Sequence, residues 1–209
     1  LSDNKICPEG AKLLAEALMS DNCPSRIKLD LHDNNIGDEG VIFFAEALRS
    51  GKCSSGLDLN IGQNKIGNNG LRALAKALAS GNCPSNMKLY LYSNHIDHDG
   101  MQALADTMIS GKYPTGLKLG LGFNNIGDRG AIALAKALAV GKFPLGLELE
   151  LMACEIREKG SQALADALAS GKCPSGLHLD ISCNDIGKIG AQAIAAALAS
   201  GNCPSGLEL

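Results

Sequence analysis

Residues Leu121–Leu138 read LGFNNIGDRGAIALAKAL, and the same line is written again, with substitutions, thirty residues before and thirty residues after. Glycine stands at 10, 40, 70, 100, 130, 160 and 190, isoleucine at 6, 36, 66, 96, 126, 156 and 186, and alanine at 15, 45, 75, 105, 135, 165 and 195. A fixed period of this kind marks a repeat array, in which each unit hides its apolar face only against its neighbours. The sequence therefore predicts one continuous α/β solenoid over residues 1–209, about seven 30-residue units in a single domain. It opens on Leu1 and stops inside a unit at Leu209, which predicts a piece of a longer protein.

The two halves of each unit have different periodicities. Ile27, Leu29 and Leu31 alternate as a strand does, and Asn34 then predicts a turn. The run from Asp128 to Ala139 is alanine-rich, with Leu134 and Leu138 four apart, and predicts a helix that turns one apolar face inward. Asp38 and Asp128 are expected to cap the helices they open. Gly130 and Ala135 are expected to let the helix lie close to the strand layer. Glycines at 51, 81, 111, 141, 171 and 201 are expected to end the helices, with proline two or three residues later in most units. Strands that recur every thirty residues must stack in parallel at about 4.8 Å, whereas packed helices need about 8–10 Å. That mismatch predicts an arc with the strands lining its hollow.

The segments IKLDLHDNNI, LDLNIGQNKI, MKLYLYSNHI, LKLGLGFNNI, LELELMACEI and LHLDISCNDI resemble the strand-and-turn signature of leucine-rich repeats, with the first leucine displaced by one residue. The Ile-Gly-Asp-x-Gly-Ala-x-Ala-Leu-Ala run and the thirty-residue period resemble the ribonuclease-inhibitor-like class. The resemblance implies a right-handed horseshoe solenoid with a concave parallel sheet and convex helices. It also implies an asparagine ladder, carried here by Asn34, Asn64, Asn94, Asn124 and Asn184, with Asn4 ahead of it and Cys154 breaking it. Met152, Ala153, Cys154 and Arg157 make the sixth unit the most irregular, and a local distortion or a specialised surface is expected there. The phrase ALASGNCPSGL at 197–207, nearly repeated at 77–87, is similar to repeats of secreted leucine-rich-repeat effectors of Legionella-type intracellular bacteria. That second resemblance implies delivery into the host cytoplasm and a eukaryotic host protein as partner. Without it, a cytoplasmic protein is expected.

Composition narrows the functional classes. The formal net charge is −3 and no basic block occurs, which speaks against nucleic acid as partner. No apolar run is long enough to insert across a bilayer. Five of eight cysteines, Cys23, Cys53, Cys83, Cys173 and Cys203, share one position that Tyr113 and Phe143 fill elsewhere, so the site is apolar. No C-x-x-C spacing occurs, and reduced thiols suit a cytosolic setting.

Function is expected where the repeat departs from its own rule. The outward residues of the strands include Tyr90 and Tyr92, with Phe123 and Met152 on the following coils. Glycines at 62, 120 and 122 are expected to leave pits beside the two exposed rings. Exposed aromatics anchor interfaces, so a protein partner is expected on the concave face. Lys88 and Lys118 flank the tyrosines. Glu148, Glu150, Asp180 and Glu208, with His178 among them, predict an acidic end of the hollow and a basic partner surface.

His95, Asp97, His98 and Asp99 are too few and too local for a metal site, and the Gly120-Leu-Gly122 pair lies in a strand without the third glycine of a dinucleotide loop. The serines at 20, 50, 80, 110, 170 and 200 recur because helix ends call for them. No unique convergence of nucleophile, base and orienter is present, so neither catalysis nor a cofactor is expected. Two alternatives stand beside the binding reading. GTPase-activating proteins of the Ran type resemble this repeat class, and Arg157, which displaces a loop glycine, is the arginine to consider on that resemblance. The other is a structural spacer for a catalytic domain elsewhere. The sequence assigns no oligomeric state.

Overall fold

In a computed structural model, residues 1–109 and 112–209 are described, and the expected serine and glycine at 110 and 111 lie outside them. Helix and strand alternate throughout: α1 (Pro8–Leu18), β1 (Lys28–Asp30), α2 (Gly37–Arg49), β2 (Asp58–Asn60), α3 (Asn68–Leu78), β3 (Lys88–Tyr90), α4 (His98–Met108), β4 (Lys118–Gly120), α5 (Gly127–Leu138), β5 (Glu148–Glu150), α6 (Glu158–Ala169), β6 (His178–Asp180) and α7 (Gly187–Ala199). The six strands form one parallel sheet in sequence order. Each residue pairs with the one thirty positions later: Leu29 with Leu59, Leu59 with Leu89, Leu89 with Leu119, and so on to Leu179. The α/β solenoid arc read from the period is the observed architecture.

The central leucine of every strand is buried, as are Leu31, Leu91, Leu121 and Leu151 just beyond, and these meet the apolar stripes of the helices in one continuous core. Carbonyls of adjacent turns would be lost to water here, and asparagine side chains take them up. Asn94 Nδ2 donates to the carbonyls of Ile61 and Leu91, at 3.1 and 2.9 Å, while its Oδ1 accepts from the amides of Asn64 and Ile66, at 2.9 and 3.0 Å. Asn124 and Asn184 repeat the pattern.

The Ile and Gly columns that reveal the period touch each other. A Cβ on Gly130 would stand 2.5 Å from Ile126 Cγ2 and 3.1 Å from Met101 Cβ of the preceding helix. Gly40 and Gly160 are hemmed in alike, by Ile36 and Ala11 and by Ile156 and Ala131. The expectation that Gly130 serves helix-to-strand approach is thus corrected, since its missing side chain lets the helix settle on its own entry loop and on the neighbouring helix.

The expected caps are corrected as well. Asp38 does not cap α2: its Oδ1 accepts from the amides of Gly67 and Gly70, at 2.7 and 3.0 Å, at the start of α3. Asp128 Oδ1 likewise accepts from Arg157 and Gly160, both at 2.8 Å, at the start of α6. The carboxylate reaches across to the next coil, where two amides and the positive end of a helix point at it.

The sixth coil is not distorted. The parallel ladder runs through it, with the amides of Leu121, Phe123 and Ala153 bonded at 2.8, 2.8 and 3.0 Å to the next coil. Cys154 is fully buried and donates to the Leu121 carbonyl at 3.3 Å. The recurrent cysteine site is half-buried, and its thiols return to the helix they follow. Cys53, Cys83, Cys173 and Cys203 donate to the carbonyls of Ala47, Ala77, Ala167 and Ala197, at 3.3–3.4 Å. Burial, with a neighbouring cysteine second, pushes Cys53 and Cys173 up to about 11 and Cys83 up to about 12. These groups therefore remain thiols at neutral pH. Tyr113 fills the same site by sending its hydroxyl to Thr107 Oγ1 at 2.7 Å.

Candidate functional site on the sheet face

Strand register lays three rows of side chains across the solvent side of the sheet. One row runs Lys28, Asp58, Lys88, Lys118, Glu148, His178, and the next Asp30, Asn60, Tyr90, Gly120, Glu150, Asp180. The third, one step past the strands, holds His32, Gly62, Tyr92, Gly122, Met152 and Ser182, kept in step by the amide-to-carbonyl bonds Asp33 to Gly62, Gln63 to Tyr92, Ser93 to Gly122, Phe123 to Met152 and Ala153 to Ser182.

The tyrosines are half-buried on this face, and the expected pits are filled by the rings themselves. A Cβ on Gly62 would lie 2.5 Å from Tyr92 Cζ, so the Tyr92 ring covers that glycine and leans toward the preceding coil. A Cβ on Gly120 would lie 2.8 Å from Tyr90 Cδ1, so Tyr90 leans toward the following coil. Gly122 offers Tyr92 no comparable floor, because the Met152 carbonyl and Cβ already close it.

Polar groups fix both rings. The Tyr92 hydroxyl accepts from Asn60 Nδ2 at 3.2 Å, Asn60 Nδ2 also donates to Asp30 Oδ1 at 2.9 Å, and that oxygen meets His32 Nδ1 at 3.0 Å. This three-coil chain was not legible in the sequence, where its members are only separate outward residues. Partial burial would raise the Asp30 carboxyl, but the His32 ring and amide overcome it and hold the group below its usual range. Tyr90 packs under Lys118, whose Nζ stands 5.9 Å from the ring centroid. Burial first, and then the carboxylates of Asp58, Glu150 and Glu148, raise the Tyr90 phenol, so it is a neutral donor.

The acidic end is partly self-neutralised. Lys118 Nζ lies 2.5 Å from Glu150 and 3.2 Å from Glu148. Burial acts against its charge, but the two carboxylates outweigh it and raise the ammonium well above its ordinary value. His178 Nδ1 meets Glu208 at 2.9 Å. The Ser182 bonds to Asp180 hold that carboxyl low against its partial burial. Lys88 and Phe123 are the freely exposed members of the expected site, and Phe123 is 54% accessible at the end of the fourth strand's turn. Its φ of 58° lies in the left-handed region, as at Asp33, Gln63, Ser93, Ala153 and Cys183 in the equivalent turns.

Of His95, Asp97, His98 and Asp99, Asp97 is drawn into helix-entry bonding, where it caps α4 through the Asp99 amide and accepts from Asn68 Nδ2, both at 2.8 Å, while His95 is exposed and His98 Nε2 stands 3.5 Å from Asp99. Arg157 is exposed at the entry of α6, on the loop rim beside Asp128, Glu158, Lys159 and Asp185. No helix of the described residues is long and apolar enough to cross a membrane.

Four stretches, residues 27–45, 57–75, 117–135 and 177–195, match the family profile described as Leucine Rich repeat. Each spans a strand, its asparagine turn and the greater part of the following helix. No curated protein matches the chain.

Proposed function

The chain is a leucine-rich repeat solenoid, a class whose members generally serve as scaffolds for protein interaction, and from that premise we propose that it recognises a partner protein on its sheet face, around Tyr90, Tyr92, Phe123 and Met152. The observation that carries this reading is Phe123. An aromatic side chain more than half exposed, on a left-handed backbone that other coils give to Asp, Gln, Ser, Ala or Cys, weakens the fold without a visible return within the chain. Beside it Tyr90 and Tyr92 are held in fixed orientations by glycine floors and polar contacts, so they lose little freedom on contact. Lys88 and the Lys118–Glu148–Glu150 cluster form a charged rim around them, and His178 and Asp180 extend it. Because Lys118 already answers two carboxylates, the face orients a partner of mixed charge rather than one that is only basic.

The similarity of ALASGNCPSGL to effector repeats supports a finer proposal, a bacterial protein that meets a eukaryotic host protein in the host cytoplasm. The GTPase-activating alternative has less support at Arg157, because Arg157 and Lys159 share their rim with the carboxylates of Asp128, Glu158 and Asp185, which oppose the approach of a nucleotide triphosphate. The test is affinity capture from host-cell lysate with the wild type, Phe123→Ser and Tyr90→Ala, followed by crosslinking to the captured protein. Each substitution is expected to weaken capture by about 2 kcal/mol, with crosslinks on Lys88 and Lys118. Equal capture by all three proteins would sink the site.

A further inference from the structure

The connections from each helix to the next strand lie along one rim of the array. Among the described residues they are 20–26, 50–56, 80–86, 112–116, 140–146, 170–176 and 200–206, and their usual vocabulary is Ser, Gly, Cys and Pro. The serines have structural tasks: Ser50 Oγ donates to the Ala47 carbonyl at 2.6 Å and accepts from the Lys52 amide at 3.1 Å, and Ser170 does the same with Ala167 and Lys172. The connection of α5 to β5 breaks the vocabulary twice. Val140 stands where Ser20, Ser50, Ser80, Ser170 and Ser200 stand, and Leu145 stands where the other units have Ser or Thr115. Both face solvent, 40% and 63% accessible, and Ile109 at the end of α4 on the adjacent coil is 40% accessible.

The charge on this rim is predominantly positive. Arg26, Lys52, Lys112, Lys142 and Lys172 are opposed only by Asp21 within those segments. Lys112, Lys142 and Lys172 are exposed and occupy the same place in three consecutive coils, on and around the one that carries Val140 and Leu145. A cation here offsets the negative end of a helix, yet α1, α3 and α7 are followed by Asn22, Asn82 and Asn202 at the same place. The lysines are gathered beside the exposed aliphatics.

We propose that this rim docks on an anionic lipid surface, with Val140, Leu145 and Ile109 entering the headgroup layer and Lys112, Lys142 and Lys172 facing its negative charge. Three features favour a bilayer over a protein. The aliphatic side chains stand out from loops and a helix end rather than line a groove. The repeat holds the lysines in one row at a fixed spacing, so all of them meet a flat surface together. Shallow aliphatic insertion beside a basic cluster is the pair of weak signals that peripheral attachment needs. The attachment is independent of the sheet-face reading and leaves that face free.

The experiment is co-sedimentation of the protein with vesicles of phosphatidylcholine alone and of phosphatidylcholine with phosphatidylserine. Retention is expected only on the anionic vesicles and should fall as salt is added. The double variant Val140→Ser/Leu145→Ser, which restores the repeat's own residue, should cut partitioning roughly tenfold with no loss of melting temperature. The triple variant Lys112→Asn/Lys142→Asn/Lys172→Asn should cut it by on the order of a hundredfold. Absence of retention on anionic vesicles overturns the proposal, as does retention that both variants keep. A lower melting temperature in the lysine variant with unchanged retention also overturns it, because the lysines would then serve the helix ends alone. Binding of an acidic peptide without any binding of vesicles assigns the rim to a protein and overturns it too.

Discussion

Phe123 and Cys154 are two places where a side chain departs from what its backbone position asks for. At position 123 every equivalent turn enters the left-handed region, which asparagine tolerates and a bulky aromatic does not. Phe123→Asn is therefore expected to stabilise the fold by about 1 kcal/mol, read as a higher urea midpoint, while capture of the partner falls. Gain in both, or loss in both, would separate Phe123 from recognition. Cys154 has the opposite logic. In the flanking coils an asparagine oxygen takes two amides of the coil before it, as Asn184 Oδ1 does with Cys154 and Ile156 at 2.9 Å each. The thiol at 154 offers no such oxygen and turns instead to the carbonyls of Leu121 and Met152, at 3.3 and 3.6 Å. Since the coil keeps its spacing, Cys154→Asn should fit in place and add about 1–2 kcal/mol of stability, measured by the same titration.

At the scale of the element, the entries of α3, α4 and α6 each depend on a side chain about thirty residues earlier. Asp128 lies in the first turn of α5, yet its oxygen serves the amides of Arg157 and Gly160 at the start of α6. Asp128→Ala should cost about 1–2 kcal/mol, and hydrogen exchange should quicken at Arg157 and Gly160 rather than in the first turn of α5. Protection lost in α5 would restore the local cap that the sequence suggests. Strands, helices and the asparagine column could be read from the residues because each depends on a period that repeats in every unit. The cap could not, since a local pattern and a neighbour thirty residues away predict the same aspartate. The tyrosines show the same boundary. Register placed Tyr92 between Gly62 and Gly122, but the choice between them rests on Asn60 offering a bond on one side and Met152 closing the other.

Over the whole molecule, among the described residues, helix packs on the helix of the adjacent coil and strand on adjacent strand, so stability is a sum over neighbours rather than a property of one core. The terms are unequal. Helix α5 buries Gly130, Ala131, Ala133, Leu134, Ala135, Ala137 and Leu138 between two neighbours, whereas α7 buries only Gly190, Ala193 and Ala197 and leaves Ile189 and Leu198 about half exposed. In this chain α7 should open in a partial unfolding well below the free energy that opens α3 to α5, and its amides should exchange first. The same inequality sets the response to cavity formation. Leu134→Ala, at a fully buried site, should cost about 2–4 kcal/mol and broaden the denaturation curve, because a weakened central coil uncouples the coils on its two sides. Ile194→Ala, half-buried in α7, should cost under about 1 kcal/mol and leave the main transition in place. Equal losses at the two sites, with one sharp transition in each, would mean that the array unfolds as a single unit and that neighbour coupling outweighs the difference in burial.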